Sequence, residues 1–271
     1  MIDIITVTYS KEFDLQRLQS RSLELFHTAA YHHHIVIEDT VIPRSQWLDM
    51  LGPYYRDNLS VISAPDDGLD LQSYKKGWLR QQRLKLDLAH KLGRRAVMLD
   101  SKNFLVRATD FGEMIPGGVG VWSRQDQIYL SKWQKTVQFL DQVYGEEVGV
   151  FWLPHTPFMT DPDSLELVFQ DTRPRLEDLI RPNRCLSEFI LLSYWQRPIK
   201  RQIKRPGWGA PRSWTIWQQE RASADLEYIL NPQLGLQLIG LHSRTVKGLV
   251  LGNRSLDHEL APELLELVKP K

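Results

Sequence analysis

"AVMLDSKNFLVR", residues 96–107, is the stretch on which the reading of the chain turns. Four apolar residues, Ala96–Leu99, end on Asp100, and a polar turn follows, Ser101-Lys102-Asn103. Before it, Lys75–Leu92 spaces Trp78, Leu79, Gln82, Leu84, Leu86 and Leu88 as an amphipathic helix does, and Gly93 stops that helix. Residues 96–99 are therefore expected to be a strand that returns from a helix to a sheet, with Asp100 at its carboxyl end.

Toward the N-terminus the same alternation repeats. Ile2–Thr8 is rich in β-branched residues and predicts a strand. Lys11–Phe26 carries helical spacing through Phe13, Leu15, Leu18, Ser22, Leu25 and Phe26. "HHHIVIED", residues 32–39, predicts a second strand, Gln46–Leu51 a short helix, and "NLSVISA", residues 58–64, a third strand closed by Pro65-Asp66-Asp67-Gly68. Strand and helix thus alternate through the first hundred residues. That order predicts an α/β fold with a mostly parallel, twisted sheet flanked by helices. Sheets of this kind bind ligands beyond the carboxyl ends of their strands. Tyr9-Ser10, Glu38-Asp39 and Asp100-Ser101-Lys102 all fall at such ends.

Past Pro116-Gly117-Gly118 the pattern becomes more helical. Helices are expected at Ser131–Tyr144, Asp163–Phe169, Arg175–Ile180, Ser187–Gln196 and Leu260–Val268, with strands in "VGVFWL", residues 148–153, and at Leu236–Leu241. The segment around 197–213 is different in kind: it is dense in Arg and Lys, broken by Pro and Gly, and flanked by tryptophans, which predicts a basic loop. The 271 residues are read as one domain, with a ligand-binding half at 1–115 and a second half at 116–271.

Composition sets outer limits. The chain is 42% hydrophobic and 25% charged, as globular proteins are, and its net charge of +1 gives no global attraction to nucleic acid or anionic membrane. The lone Cys185 cannot form an internal disulfide. No basic stretch leads into a long apolar one at the N-terminus, and no run reaches the roughly 18 apolar residues of a spanning helix. The expectation is a cytoplasmic protein that makes at most peripheral contact with the inner face of a membrane.

Several clusters carry chemistry. In the D-x-K-N turn, Asp100 and Asn103 can satisfy local backbone groups, or Asp100 can hold a ribose or a metal ion while Lys102 meets a diphosphate. A protonated lysine cannot itself be a metal ligand. Gln81 and Lys85 share a helix face, with Gln82 beside them. In "LPHTPFMTD", residues 153–161, two prolines bracket His155 and Thr156 in a rigid loop. Glu188 stands in an apolar helix behind Ser187, either as a helix-capping charge or as a general base. "IGLHSRT", residues 239–245, ends on His242 and Arg244, types suited to a divalent ion and a phosphate. The tract His32-His33-His34 is read as structural, because alternate residues of a strand face opposite ways.

These residues carry a resemblance. "IITVTYSKEFDLQRLQSRSLELF", "GWLRQQRLKL", "VMLDSKNFLVR", "HTPFM", "SEFILLSYW" and "LHSRT" together resemble GT-A-type glycosyltransferases. More narrowly, they are similar to a bacterial and phage family of uncharacterised GT-A-like proteins, linked to polysaccharide genes, with D-x-K-N in place of D-x-D. The resemblance implies a GT-A-like, Rossmann-like fold and transfer of a sugar from a nucleotide-diphosphate sugar to a glycan or lipid-linked acceptor. It implies donor contacts at Thr8, Tyr9, Ser10, Asp39, Gln82, Lys85, Asn103 and Arg244, and acceptor contacts at His155 and Thr156. Glu188 would be the base, with Asp100 and Lys102 at the acidic-pair position. A divalent cation (Mn2+ or Mg2+), if used, would be held by Asp100 and His242. With Lys102 replacing the second acid, it would be held weakly or not at all. Two other readings stay open: a non-catalytic nucleotide- or sugar-binding protein, and a single-stranded nucleic-acid binder using 197–213 with Trp208 and Trp214 as stacking platforms. The near-neutral charge argues against the last, and no nucleic acid is expected as a partner.

Overall fold

The first strand, β1 (Ile2–Thr8), is buried along its whole length, polar Asp3, Thr6 and Thr8 included. A strand covered on both faces belongs at the centre of a parallel sheet, and β1 sits there. The computed structural model describes residues 1–55, 57–67, 77–105, 107–114, 116–118, 120–170 and 187–196, together with the backbone of Ser213–Ile216 and Leu238–Leu241. The expected helices at Arg175–Ile180 and Leu260–Val268, Cys185, the body of the basic segment, His242 and Arg244 lie outside the described residues.

From β1 the chain runs through α1 (Phe13–Phe26), β2 (Tyr31–Ile37), α2 (Arg44–Leu51), β3 (Leu59–Ser63), α3 (Gly77–Leu92) and β4 (Ala96–Asp100). The four strands are parallel, with Thr8 facing Ile37 in one register and Val7 facing Asp100 in the other. Short elements follow: β5 (Asn103–Leu105), β6 (Gly117–Gly118) and β7 (Val121–Ser123), then α4 (Gln127–Tyr144) and β8 (Val150–Trp152). The rest are β9 (Phe158–Met159), α5 (Pro162–Gln170), α6 (Glu188–Leu192), β10 (Ser213–Ile216) and β11 (Leu238–Leu241). The main sheet has the order β3-β2-β1-β4-β9-β6, with β9 antiparallel to both neighbours. Strands β10-β11-β5 and β7-β8 form two small sheets. The α/β class with a mostly parallel, helix-flanked sheet is thus the observed one.

The two faces of the sheet are covered separately. Leu23 of α1 and Trp47 and Leu51 of α2 pack on Ile4, Ile35, Val61 and Val97. On the other face, Leu79 and Leu86 of α3, Val137 and Leu140 of α4, Leu165 of α5 and Ile190 of α6 pack on Ile5 and Met98. The chain steps outward from β1 to β3 and then returns to lay β4 on the other side of β1. The crevice between the carboxyl ends of β1 and β4 is therefore the topological switch point, where sheets of this kind take ligands.

Two polar devices shape that crevice. Buried Gln19 of α1 donates from Nε2 to the carbonyls of Asp100 (2.7 Å) and Asn103 (2.8 Å), which ties the D-S-K-N turn to the helix beneath it. Asn103 Oδ1 accepts from the Asp100 amide at 2.8 Å, closing the turn from within. The histidine tract is structural, as expected. His33 faces Thr6 (2.9 Å) and Tyr55 (2.5 Å), burial pushing its pKa down to about 3, while His32 and His34 share the opposite face with rings 4.5 Å apart.

Candidate active site

A cleft of about 350 Å3 opens beside this switch point, at the carboxyl end of β4, lined by α3, the β4–β5 turn, α4, the 154–156 loop and the start of α6. Its floor is ionic. The Lys85 ammonium, on a side chain only 5% exposed, lies 2.7 Å from Asp100 Oδ1 and 3.5 Å from Glu188 Oε1. The two acids come from β4 and α6, so Lys85 is the centre at which three separate elements meet. Lys102, the residue that breaks the acidic pair, is further off, with its ammonium 4.0 Å from Asp100 Oδ2. Sequence reasoning gave Lys102 the role of built-in cation. Lys85, from α3, is the ammonium closer to Asp100, but it is enclosed between the two acids, while Lys102 is one-third exposed and lines the cleft.

Each group is held from outside. Gln82, one turn before Lys85, accepts from the Glu188 amide through Oε1 at 2.8 Å, and its buried Nε2 has no hydrogen-bond partner among the described residues. Ser187 caps α6, accepting from the Phe189 amide, so Glu188 occupies the first helical position. Thr156 donates its hydroxyl to Asn103 Oδ1 and stands 3.5 Å from Asp100 Oδ2. At the mouth, Trp78 is 42% exposed and stacks on Trp133 with ring centroids 6.1 Å apart, and Lys132 lies over the Trp133 ring.

The electrostatics follow from this packing. Burial pushes the Asp100 carboxyl up, but the ammoniums of Lys85 and Lys102 overcome that and bring it down to about 2. Burial works against the Lys85 charge, yet Asp100 and Glu188 outweigh it and keep the ammonium protonated. Glu188 ends above the ordinary carboxylate range, since burial and the Asp100 charge exceed the pull of Lys85. Burial, with Lys132, also pulls His155 down.

Of the residues singled out in the sequence, Gln82, Lys85, Asp100, Lys102, Asn103, His155, Thr156 and Glu188 all line this cleft. Thr8, Tyr9, Ser10 and Asp39 do not line it; they form a neighbouring cluster at the ends of β1 and β2. There Asp39 Oδ2 accepts from the Ser10 amide at 3.0 Å, and Oδ1 accepts from the Ser10 hydroxyl and, at 3.2 Å, from the Val41 amide. Tyr9 bonds to Glu12, and Glu12 accepts from Ser101, which joins the two clusters through the residue between Asp100 and Lys102. Glu38, beside Asp39, went unassigned in the sequence. It is buried, and desolvation raises its pKa to about 7 against the pull of Gln81 and Arg80. Trp78, Lys132 and Trp133 also lacked a sequence signal beyond ordinary helical spacing.

Of the two residues expected to hold a divalent ion, Asp100 is described and His242 is not. Among the described residues, no three His, Cys, Asp or Glu side chains stand close enough to hold one. Asp100 Oδ1 is taken by the Lys85 ammonium at 2.7 Å, and Lys102 stands 4.0 Å from Oδ2. No helix among the described residues is long and apolar enough to cross a membrane.

No protein-family model matches the chain, and no curated protein matches it. Among solved structures it is similar to WbbM, a bifunctional glycosyltransferase in its apo form. The TM-score is 0.48 and the identity 11%, over 88% of this chain and 45% of that one. It is also similar to an active-site mutant of LgtC, with a TM-score of 0.45 and 13% identity, over 98% and 95% of the two chains. The chain spans less than half the length of WbbM.

Proposed function

We propose that the chain is a glycosyltransferase that moves a sugar from a nucleotide-diphosphate sugar to a hydroxyl of a glycan or lipid-linked acceptor, in the synthesis of a surface polysaccharide. The observation that carries the reading is the pair of acids, half-buried Asp100 and buried Glu188, that meet at Lys85 on the floor of a cleft at the carboxyl end of β4. It supplies a base, Glu188, whose pKa is raised by burial and by the Asp100 charge, which makes it a stronger proton acceptor than an exposed carboxylate. The donor's diphosphate is met by Lys102 and Lys132, and a sugar ring by the Trp78–Trp133 pair at the mouth. His155 and Thr156 border the acceptor, and Thr8, Tyr9, Ser10 and Asp39 extend the donor side toward the nucleoside.

The reaction is one displacement. An acceptor oxygen bonds to the anomeric carbon as that carbon's bond to the diphosphate oxygen breaks. The acceptor proton passes to Glu188, the nucleoside diphosphate leaves, and the anomeric centre inverts. Charge building on the departing diphosphate is stabilised by fixed ammoniums. Transfer is therefore expected to proceed without a divalent cation. In assays of nucleotide-diphosphate release from a panel of uridine, guanosine and thymidine donors, EDTA leaves the rate unchanged and manganese does not raise it. Loss in EDTA with recovery on manganese would overturn the metal-free mechanism. Absence of release or binding with every donor would instead favour a non-catalytic binding protein.

A further inference from the structure

Lys85 is the most enclosed cation of the cleft, and its surroundings leave it little room to act as a donor contact. Its ammonium carries three donors. One is directed at Asp100 Oδ1 at 2.7 Å and a second at Glu188 Oε1 at 3.5 Å, while the Phe189 ring lies 5.8 Å from the nitrogen. The same helix face engages α6 a second time, through the bond from the Glu188 amide to Gln82 Oε1. Residues three apart on α3 thus grip both the backbone and the side chain of Glu188. The pair Lys102 and Lys132, at the open side of the cleft, remains available to an anionic substrate.

We propose that Lys85 is a positioning residue: with Gln82 it clamps the start of α6, so that the Glu188 carboxylate is held in one orientation toward the cleft. This assignment rests on the transferase reading for its catalytic consequence, although the clamp itself does not. Five residues of helix, Glu188–Leu192, cannot fix their own first side chain by helical hydrogen bonding alone. The lysine supplies what the short helix lacks. It also ties Glu188 to Asp100, and so to the β4–β5 turn that carries Lys102. Base and diphosphate cation are then kept at a fixed separation through one ammonium.

Two measurements test the clamp, on the full chain with Lys85→Met, Glu188→Gln and the double substitution. Stability is read by urea unfolding as a double-mutant cycle. Lys85→Met leaves a buried carboxylate without its counter-charge and is expected to lower the unfolding midpoint. Adding Glu188→Gln should return part of that loss. Additive effects of the two substitutions, with no coupling, overturn the proposal whether or not the protein is an enzyme. The second measurement is donor hydrolysis. Lys85→Met is expected to lower kcat on the order of 100-fold with little change in donor KM, as loss of an oriented base requires. A raised KM at unchanged kcat makes Lys85 a donor contact and also overturns it. If wild-type protein hydrolyses no nucleotide-diphosphate sugar, the transferase reading falls, and the coupling measurement still decides the clamp.

Discussion

The Glu188→Gln variant transfers sugar on the order of 100- to 10,000-fold more slowly than the wild type, while its affinity for the nucleotide-diphosphate sugar is unchanged. The amide keeps the shape of the carboxyl and the bond from its own backbone to Gln82, so α6 stays in place. What is lost is the proton acceptor. The pH profile gives the stricter check. Burial, with the Asp100 charge, raises the Glu188 pKa, and Lys85 offsets this only in part. The basic form therefore disappears at a higher pH than an exposed glutamate's, near about 4.3. Wild-type activity falls as pH is lowered through that raised pKa. Asp100, at about 2, stays ionised throughout and cannot produce the limb. His155, whose pKa burial lowers, also lines the cleft, so the limb is read again in His155→Gln. It should persist there and vanish from the residual activity of Glu188→Gln. The opposite pattern gives the base role to His155, and near-wild-type rates in Glu188→Gln remove it from Glu188.

The half of the molecule that could be read from the sequence is the half built on long, periodic elements. β1 to β4 and α1 to α3 lie within a few residues of their expected positions, because each buries a face long enough to leave a period-2 or period-3.6 trace. β6 and β9 have two residues each, and β5, β7 and β8 three, lengths at which alternation carries no information. α4 starts four residues before its expected Ser131, where Asp126 accepts from the amides of Ile128 and Tyr129. The expected helix at Ser187–Gln196 is regular only to Leu192; beyond it the amides of Tyr194 and Trp195 bond three residues back, to Leu191 and Leu192, while the Ser193 hydroxyl accepts from the Trp152 amide.

The site divides in the same way. Its residue types and strand-end positions were legible, and eight of the expected residues share one cleft. Their partnerships were not. Lys85 meets Asp100 across 15 positions and Glu188 across 103, and no local pattern encodes such a meeting. Lys102 could be placed near Asp100 from the sequence because only one residue separates them. Packing gave the closer approach to Lys85.

Glu38 shows what packing adds that a sequence cannot give, and the Glu38→Gln variant should be more stable than the wild type at alkaline pH by about 3 kcal/mol. The carboxyl sits at the carboxyl end of β2 with its side chain 5% exposed; Arg80 Nε is 3.5 Å from Oε2, and Oε1 has no hydrogen-bond partner among the described residues. Burial, helped by the charges of Glu12 and Asp39, lifts its pKa from 4.5 to about 7, because Gln81 and Arg80 compensate only partly. A carboxyl with a raised folded-state pKa contributes most to stability below its unfolded value, when it is neutral in both states. That contribution is lost as pH rises through the folded value. The wild type thus loses stability between about pH 4.5 and about pH 8 on account of this one group. An uncharged amide of the same shape does not. Urea unfolding at the two ends of that window should therefore show the variants diverging as pH rises, with the gap smallest at the acid end. Parallel curves would mean that Glu38 ionises freely in the folded chain, and the buried acid at the end of β2 would have to be abandoned.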